Sequence, residues 1–310
     1  RRSSDLHFCT LAEDAIRRDY TCNALYKNLH TGKVLDPCGK GIADLKNHYL
    51  RTAGDPHEIF KQDPVRMLRG IRFKHQKNFK LDPLAWQAII DQHELIVNSA
   101  PTRMRDEVHK MIKSKDMAGA IEDLYKCGLM PFLFPGLEQY MDDNVKANHL
   151  RDDFSVWSHT RLALNTMVKE HSHTESVYKL VALFADIAII DGIDKALTLL
   201  SNSLLGKEKV STVIHTLKDY LRFRELFRDR EYIGKPRTLP HFIIGLATRK
   251  NYFRRMVRAL NHGLKREMAL PYEIFYDNAQ LPQARPKNNP RRYKSTRRKK
   301  HRSESEKTSE

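Results

Sequence analysis

The sequence predicts a mainly α-helical protein with a short mixed α+β segment at its start and a disordered basic tail at its end. Three observations predict this. Apolar residues recur at helical spacing from Leu84 to Glu273, and a hairpin-like stretch precedes them. Residues 285–302 hold ten lysines or arginines and no acid. With 310 residues, 40% of them hydrophobic and 30% charged, the chain has the composition of about two globular domains.

At the start, Thr10-Leu-Ala-Glu13 reads as a capping box opening a short helix. Tyr20 to Leu29 reads as a strand, with a turn at His30-Thr-Gly32 and a return strand from Lys33 to Asp36. A lone hairpin is marginal in water, so it needs helices to pack on or further strands to pair with. Downstream, Met104, Val108, Met111 and Ile112 share one helical face, while Arg105, Lys110 and Lys113 lie off it. A helix over Ala118–Tyr125 is predicted to stop at Gly128, and Pro131 to Gly136 reads as a corner. Further helices are expected over Val177–Ala188 and Ala196–Leu204. These stripes read as core packing.

The net charge is +17, and the last 26 residues carry +8 of it, 11 basic against 3 acidic. Such an excess attracts polyanions, because each neutralised phosphate releases counterions. Prolines 282, 286 and 290 oppose a helix there. Arg291, Arg292, Arg297, Arg298, Lys299 and Lys300 are the candidate RNA contacts, and a solubilising extension explains the same composition. The longest apolar stretch, Leu180 to Ile190, is broken by Asp186 and is too short to span a membrane. Cys9, Cys22, Cys38 and Cys127 form no Cys-x-x-Cys pair, which argues against a disulfide scaffold or zinc site and suits a reducing cytoplasm.

Three clusters carry candidate chemistry: Glu13 to Asn23, Asp36 to Leu45, and Gln62 to Phe73. In the first, Arg17 and Arg18 beside Asp19 suit a clamp on phosphate and ribose, or a solvated helix end with local ion pairs. In the third, Asp63-Pro64 reads as a helix start, with Asp63 as N-cap and Arg66, Arg69 and Arg72 along one stripe. An acceptor at Asp63 beside a donor at Arg66 fits the edge of adenine or cytosine and opposes that of uracil or guanine. The same residues also read as a cap and surface charge.

Together the clusters resemble the signature of the class II nucleotidyltransferases, the poly(A) polymerases and CCA-adding enzymes of bacteria. The family's E-D-x-x-R-R-D-F-T-x-N element stands here as EDAIRRDYTCN, with Tyr20 for Phe. Its D-x-x-G-G-x-x-D-L stands as DPCGKGIADL, with one extra residue. Its E-D-P-x-R-M-L-R-x-x-R-F stands as QDPVRMLRGIRF, with Gln62 for Glu. The resemblance is dense from Leu11 to Phe73 and weak through PFLFP.

It implies the C-terminal remnant of an α+β nucleotidyltransferase head in residues 1–55. A helical neck in 56–140, a helical RNA-binding body in 141–280 and the basic tail in 281–310 follow. Asp19 falls on the family's third active-site aspartate. Arg17 and Arg18 fall on positions that grip the nucleotide, and Asp63 and Arg66 on the base-reading pair, with Arg69 nearby. The implied activity is addition of AMP from ATP to RNA 3′ ends by a monomer without membrane contact. CCA addition to tRNA, or a non-catalytic RNA-binding remnant, are the alternatives.

The family's magnesium is held by an Asp-x-Asp pair before the first element, and no Asp-x-Asp occurs in the 310 residues. The expectation is therefore an N-terminally truncated chain, inactive by itself. His159 with Ala185-Asp186 echoes a His…His-Asp metal-hydrolase pattern, but the doublet's histidine is Ala185. His171 and His173 read as surface residues.

Overall fold

The computed structural model describes residues 9–170, 176–228 and 252–270. The chain is mainly helical, as its periodicity predicts. Helix α1 (Leu11–Ile16) starts at the capping box: Thr10 Oγ1 accepts from the Glu13 amide at 3.2 Å, and Glu13 Oε2 accepts from the Thr10 amide at 2.7 Å. Strands β1 (Tyr26–Lys27) and β2 (Val34–Leu35) form an antiparallel hairpin. Helix α2 (Gly41–Lys46) follows, its first amides held by Asp36. A second, parallel pair joins β3 (Tyr49–Leu50) to β4 (Lys80–Leu81) around helices α3 (Pro56–Gln62) and α4 (Val65–Lys77).

The expected strand from Tyr20 to Leu29 is corrected to Tyr26–Lys27. Tyr20 makes only an isolated bridge to Thr52, and Thr21–Asn23 is a 3-10 turn. The physical reason is local. Asp19 Oδ1 accepts from the Tyr20 amide at 2.8 Å and from Asn23 Nδ2 at 3.3 Å, offering the backbone a turn in place of a ladder.

The helices after β4 begin with a short pattern that the sequence states openly. Asp82 caps α5 (Pro83–Gln92) and Asp116 caps α7 (Met117–Lys126), while proline opens α5 and α6 (Pro101–Ile112). Gly128, at φ +80°, ends the α7 segment in the left-handed region that glycine enters at no steric cost. Met104, Val108, Met111 and Ile112 are buried on α6, as their spacing predicts.

After α8 (Met130–Leu133) come α9 (Val156–Glu170), α10 (Ser176–Ile190), α11 (Ile193–Asn202), α12 (Lys207–Arg228) and α13 (Tyr252–Asn261). Helix α10 is buried from Tyr178 to Ala188 because α9, α11, α12 and α13 all pack against it. Its Lys179 Nζ donates to the carbonyls of Ile112 and Ser114 at 3.2 and 2.7 Å, capping the end of α6. Burial lowers the Lys179 pKa to about 8. One apolar core runs from Tyr20 to Leu270.

Among the described residues no helix is long and apolar enough to cross a membrane, and the four cysteines are free. His171, His173 and the basic run with Arg291, Arg292, Arg297, Arg298, Lys299 and Lys300 lie outside the described residues.

Candidate functional site

The first and third clusters meet across one cleft of about 260 Å³, lined by Arg18, Asp19, Asn23, Asp63, Arg66, Arg69 and Arg103. Sites that enclose a whole small molecule run from about 300 to 1,000 Å³. This one is smaller than that and open to solvent, with four arginines and two aspartates among its lining residues.

Three contacts join the walls. Tyr20 is fully buried, and its hydroxyl donates to the Arg66 carbonyl at 2.9 Å. Arg66 Nη2 donates to the Arg17 carbonyl at 2.6 Å, and its Nη1 to the Ile59 carbonyl at 3.2 Å. Arg69 Nε and Nη2 both lie 2.6 Å from Asp19 Oδ2.

Gly70 makes this junction possible. A Cβ there would stand 2.1 Å from the Tyr20 hydroxyl and 3.1 Å from its ring, so helix and phenol approach only because the position has no side chain. Gly70→Ala is expected to cost about 1–3 kcal/mol by overpacking and to push Tyr20, and Asp19 beside it, out of place. Urea unfolding checks this, and an unchanged midpoint would mean that Tyr20 is not clamped.

Asp63 departs from its expected role. It does not cap α4: Pro64 holds the N-cap position, without a side-chain bond, and Asp63 is the C-cap residue of α3 at φ −152°. Proline alone does not decide this, since Asp55 and Asp82 stand before Pro56 and Pro83 and do cap their helices. The freed carboxylate binds Arg103 on α6 through both oxygens, at 3.0 and 2.7 Å, and lies 3.9 Å from Arg66 Nε. Asp63 in turn raises the pKa of Arg103 through that hydrogen bonding.

The single stripe expected for Arg66, Arg69 and Arg72 also fails at its third member. Steps of three residues lag a helix of 3.6 residues per turn, so two steps rotate the position by about 120°. Arg72 is accordingly buried, bonded to Glu107 at 2.5 Å and seated over Phe73. It joins α4 to α6 and does not line the cleft.

Of the residues expected at the site, Arg18, Asp19, Asp63, Arg66 and Arg69 line one cleft. Arg17 contributes its backbone carbonyl, with an exposed side chain. Arg18 is braced by Asp14 at 3.0 Å and the Tyr26 hydroxyl at 3.0 Å. The extra residue at Lys40 is accommodated by Gly39 at φ +65°, and Asp44 remains buried against Thr21 and Arg51. Arg103 was not singled out in the sequence. It stands forty residues from Asp63 and reads locally as surface charge, so no local signal marks it.

Among the described residues no group of three or more His, Cys, Asp or Glu is placed to hold a metal ion. The two carboxylates of the cleft are each bound by an arginine. The residues present therefore do not fit a magnesium site by themselves. His159 and Asp186 do meet, at 2.6 Å, in a buried cluster with His149. His159 Nε2 faces the Leu260 carbonyl at 2.7 Å, so both of its ring nitrogens are taken by protein acceptors.

Two segments of the chain match known protein families. Residues 1–51 match the family described as "Poly A polymerase head domain", and residues 78–141 the one described as "Probable RNA and SrmB- binding site of polymerase A". A CCA-adding enzyme of Lactobacillus helveticus is 46% identical over 101 residues, covering 33% of this chain and 25% of the relative. Poly(A) polymerase I of Haemophilus influenzae is 38% identical over 134 residues, covering 43% of this chain and 29% of the relative.

Solved structures agree in fold. A tRNA nucleotidyltransferase complexed with a primer tRNA and an incoming ATP analogue superposes with a TM-score of 0.58 at 20% identity, over 90% of this chain and 76% of that one. A tRNA-processing enzyme with CTP gives 0.59 at 19% identity, over 90% and 71%. The chain spans between 25% and 39% of the length of these two curated relatives and a Lactobacillus delbrueckii CCA-adding enzyme. Over residues 1–51 and 78–141 the chain is thus similar to the RNA nucleotidyltransferases, the poly(A) polymerases and the CCA-adding enzymes alike.

Proposed function

We propose that the cleft between residues 17–23 and 63–69 reads the incoming nucleotide for an RNA nucleotidyltransferase that extends RNA 3′ ends without a template. One observation carries the reading: Asp63 and Arg66, an acceptor beside a donor, share a cleft with Asp19, Arg18 and Arg69. Adenine and cytosine each present an amino hydrogen beside a ring-nitrogen acceptor, which that pair matches. Uracil and guanine present the reverse order and leave the pair opposed. Arg18 and Arg69 stand where guanidinium groups can receive phosphate oxygens.

In this reading residues 1–55 belong to a head, 56–140 to a neck and 141–280 to an RNA-binding body. The basic run from Arg291 to Lys300 adds sequence-blind phosphate contacts. Magnesium, which the family implies, has no complete ligand set in this cleft, so no step is derived through it.

Two products fit an edge that accepts A and C. Poly(A) addition draws support from the likeness to the Haemophilus influenzae enzyme and from the basic run, which suits many different RNAs. CCA addition draws equal or greater support from the several CCA-adding relatives and from the edge's tolerance of both bases.

Equilibrium dialysis of the 310-residue chain against each nucleotide tests the site. ATP is expected to be retained at least about tenfold more tightly than UTP or GTP. Equal retention of all four, or RNA binding with no ATP binding, overturns the reading in favour of a non-catalytic RNA-binding protein.

A further inference from the structure

We propose that the groove between α6 and the start of α12 is a binding site for a phosphate ester, separate from the cleft. Its volume is about 530 Å³, within the range of sites that enclose a small molecule.

Arg105, Lys207 and the hydroxyls of Ser201, Ser203 and Ser211 line it, and no carboxylate does. That is the reverse of the cleft, where each aspartate already holds an arginine. Arg105 Nε donates to the Leu204 carbonyl at 3.1 Å. Among the described residues its two terminal nitrogens have no acceptor, and Lys207 has no acidic partner. Ser203 donates to the Leu200 carbonyl at 2.6 Å, whereas Ser201 and Ser211 make no hydrogen bond among the described residues. A guanidinium edge without an acceptor, with free hydroxyls beside it, suits a phosphate, whose oxygens take two parallel N–H bonds from arginine.

The groove is held in shape by the backbone around it. The loop from α11 to α12 is tied to α6 through Arg105 and through His109 Nε2, which faces the Leu205 carbonyl at 2.9 Å. The Leu204 amide donates to the Leu133 carbonyl of α8 at 2.9 Å. Val210 and Ile214, one turn apart on α12, give the groove an apolar flank against which the organic part of an ester can lie. Two residues beyond Lys207, Lys209 has its pKa lowered by burial and by the charge of Lys113, so positive charge gathers along this side of α6.

The groove is independent of the cleft. Arg103 lines the cleft and Arg105 the groove, and two residues turn a helix by about 200°, so the two sites open on opposite sides of α6.

Equilibrium dialysis of the whole chain in phosphate-free buffer tests the proposal, with labelled AMP in one arm and a short single-stranded RNA in the other. R66A, which impairs the cleft, is the background. In it, R105A is expected to weaken retention about tenfold and the S201A/S211A pair about fivefold. The serine pair changes no charge and breaks no hydrogen bond of the structure, so neither diffuse attraction nor unfolding accounts for its loss. Both variants losing AMP alone assigns the groove to a free nucleotide, and a loss that includes the RNA assigns it to a phosphate along a strand; either supports the site. Affinities within about twofold of the background in both arms overturn it. So does a loss that only one of the two variants shows, or a background that retains neither probe. R66A that binds ATP as the wild type does overturns the cleft reading and leaves the groove standing.

Discussion

Arg66→Ala is expected to weaken ATP binding by about a hundredfold, since a hydrogen bond from a charged group contributes about 1.5–3 kcal/mol and two functions go at once. In the proposed reading its guanidinium offers the donor half of the edge that meets the base. It also ties the end of α1 to α4 through the Arg17 carbonyl at 2.6 Å and reaches Ile59 at 3.2 Å. Removing it opens the wall that faces Asp63 and leaves two carbonyls without their donors. The Tyr20 bond to the Arg66 backbone survives, because it uses the carbonyl and not the side chain. The fold should therefore persist with a modest loss of thermal stability. Arg66→Lys keeps one charge without the fork and should recover only part of the affinity. Dialysis with ATP reads the effect, and an Arg66→Ala affinity within about threefold of the wild type would place the nucleotide elsewhere.

Asp186→Ala is expected to destabilise the protein by about 3–5 kcal/mol, the cost of stranding buried charge. Asp186 is fully buried on α10 and serves three segments. It accepts from His149 Nε2 at 3.0 Å and from His159 Nδ1 on α9 at 2.6 Å, and His159 Nε2 donates onward to the Leu260 carbonyl of α13. With acceptors on both ring nitrogens, His159 must carry both protons. Burial works against that charge, but the Asp186 charge and hydrogen bond and the Leu260 carbonyl outweigh it, and the His159 pKa is raised. Burial likewise opposes the Asp186 charge, and His159 and His149 overcome it, leaving Asp186 at about 2.

The pH dependence has a definite sign. A raised histidine stabilises fully below its unfolded value, about 6.5, and that contribution is lost as pH rises through the folded pKa. A depressed aspartate stabilises above its unfolded value of about 3.9, and the contribution is lost as pH falls toward 2. Urea midpoints of the wild type should therefore fall from pH 6 toward 7.5, and those of Asp186→Ala should change less. Above pH 8 Lys179 acts in the opposite direction, because its folded pKa lies below its unfolded one. Asp186→Asn keeps the shape without the charge and is the second variant. An Asp186→Ala loss below about 1 kcal/mol would show that the cluster does not carry the junction of α9, α10 and α13.

The helical body was legible because its signals are local. Thr10 with Glu13 and the Met104–Ile112 stripe each state an element within a few residues. The cleft was legible in part for the same reason: Asp19 and Arg66 stand inside short dense motifs, and the structure brings those motifs together. His159 with Asp186 could be noticed from a pattern, but His149, which completes the cluster, stands in a loop with no periodicity to mark it.

By itself the sequence determined the helical class, the capping box that opens α1, and two segments that bring arginines and carboxylates to the cleft. Only the tertiary structure decided what each of those groups faces. Asp63 looks like a helix cap until Arg103 takes its carboxylate, and Arg72 looks like Arg69 until the rotation of α4 buries it on Glu107. The reason is range. Propensity and capping act over three or four residues and can be read along a chain, whereas a carboxylate's partner forty residues away is chosen by helix packing, which no single stretch of sequence contains.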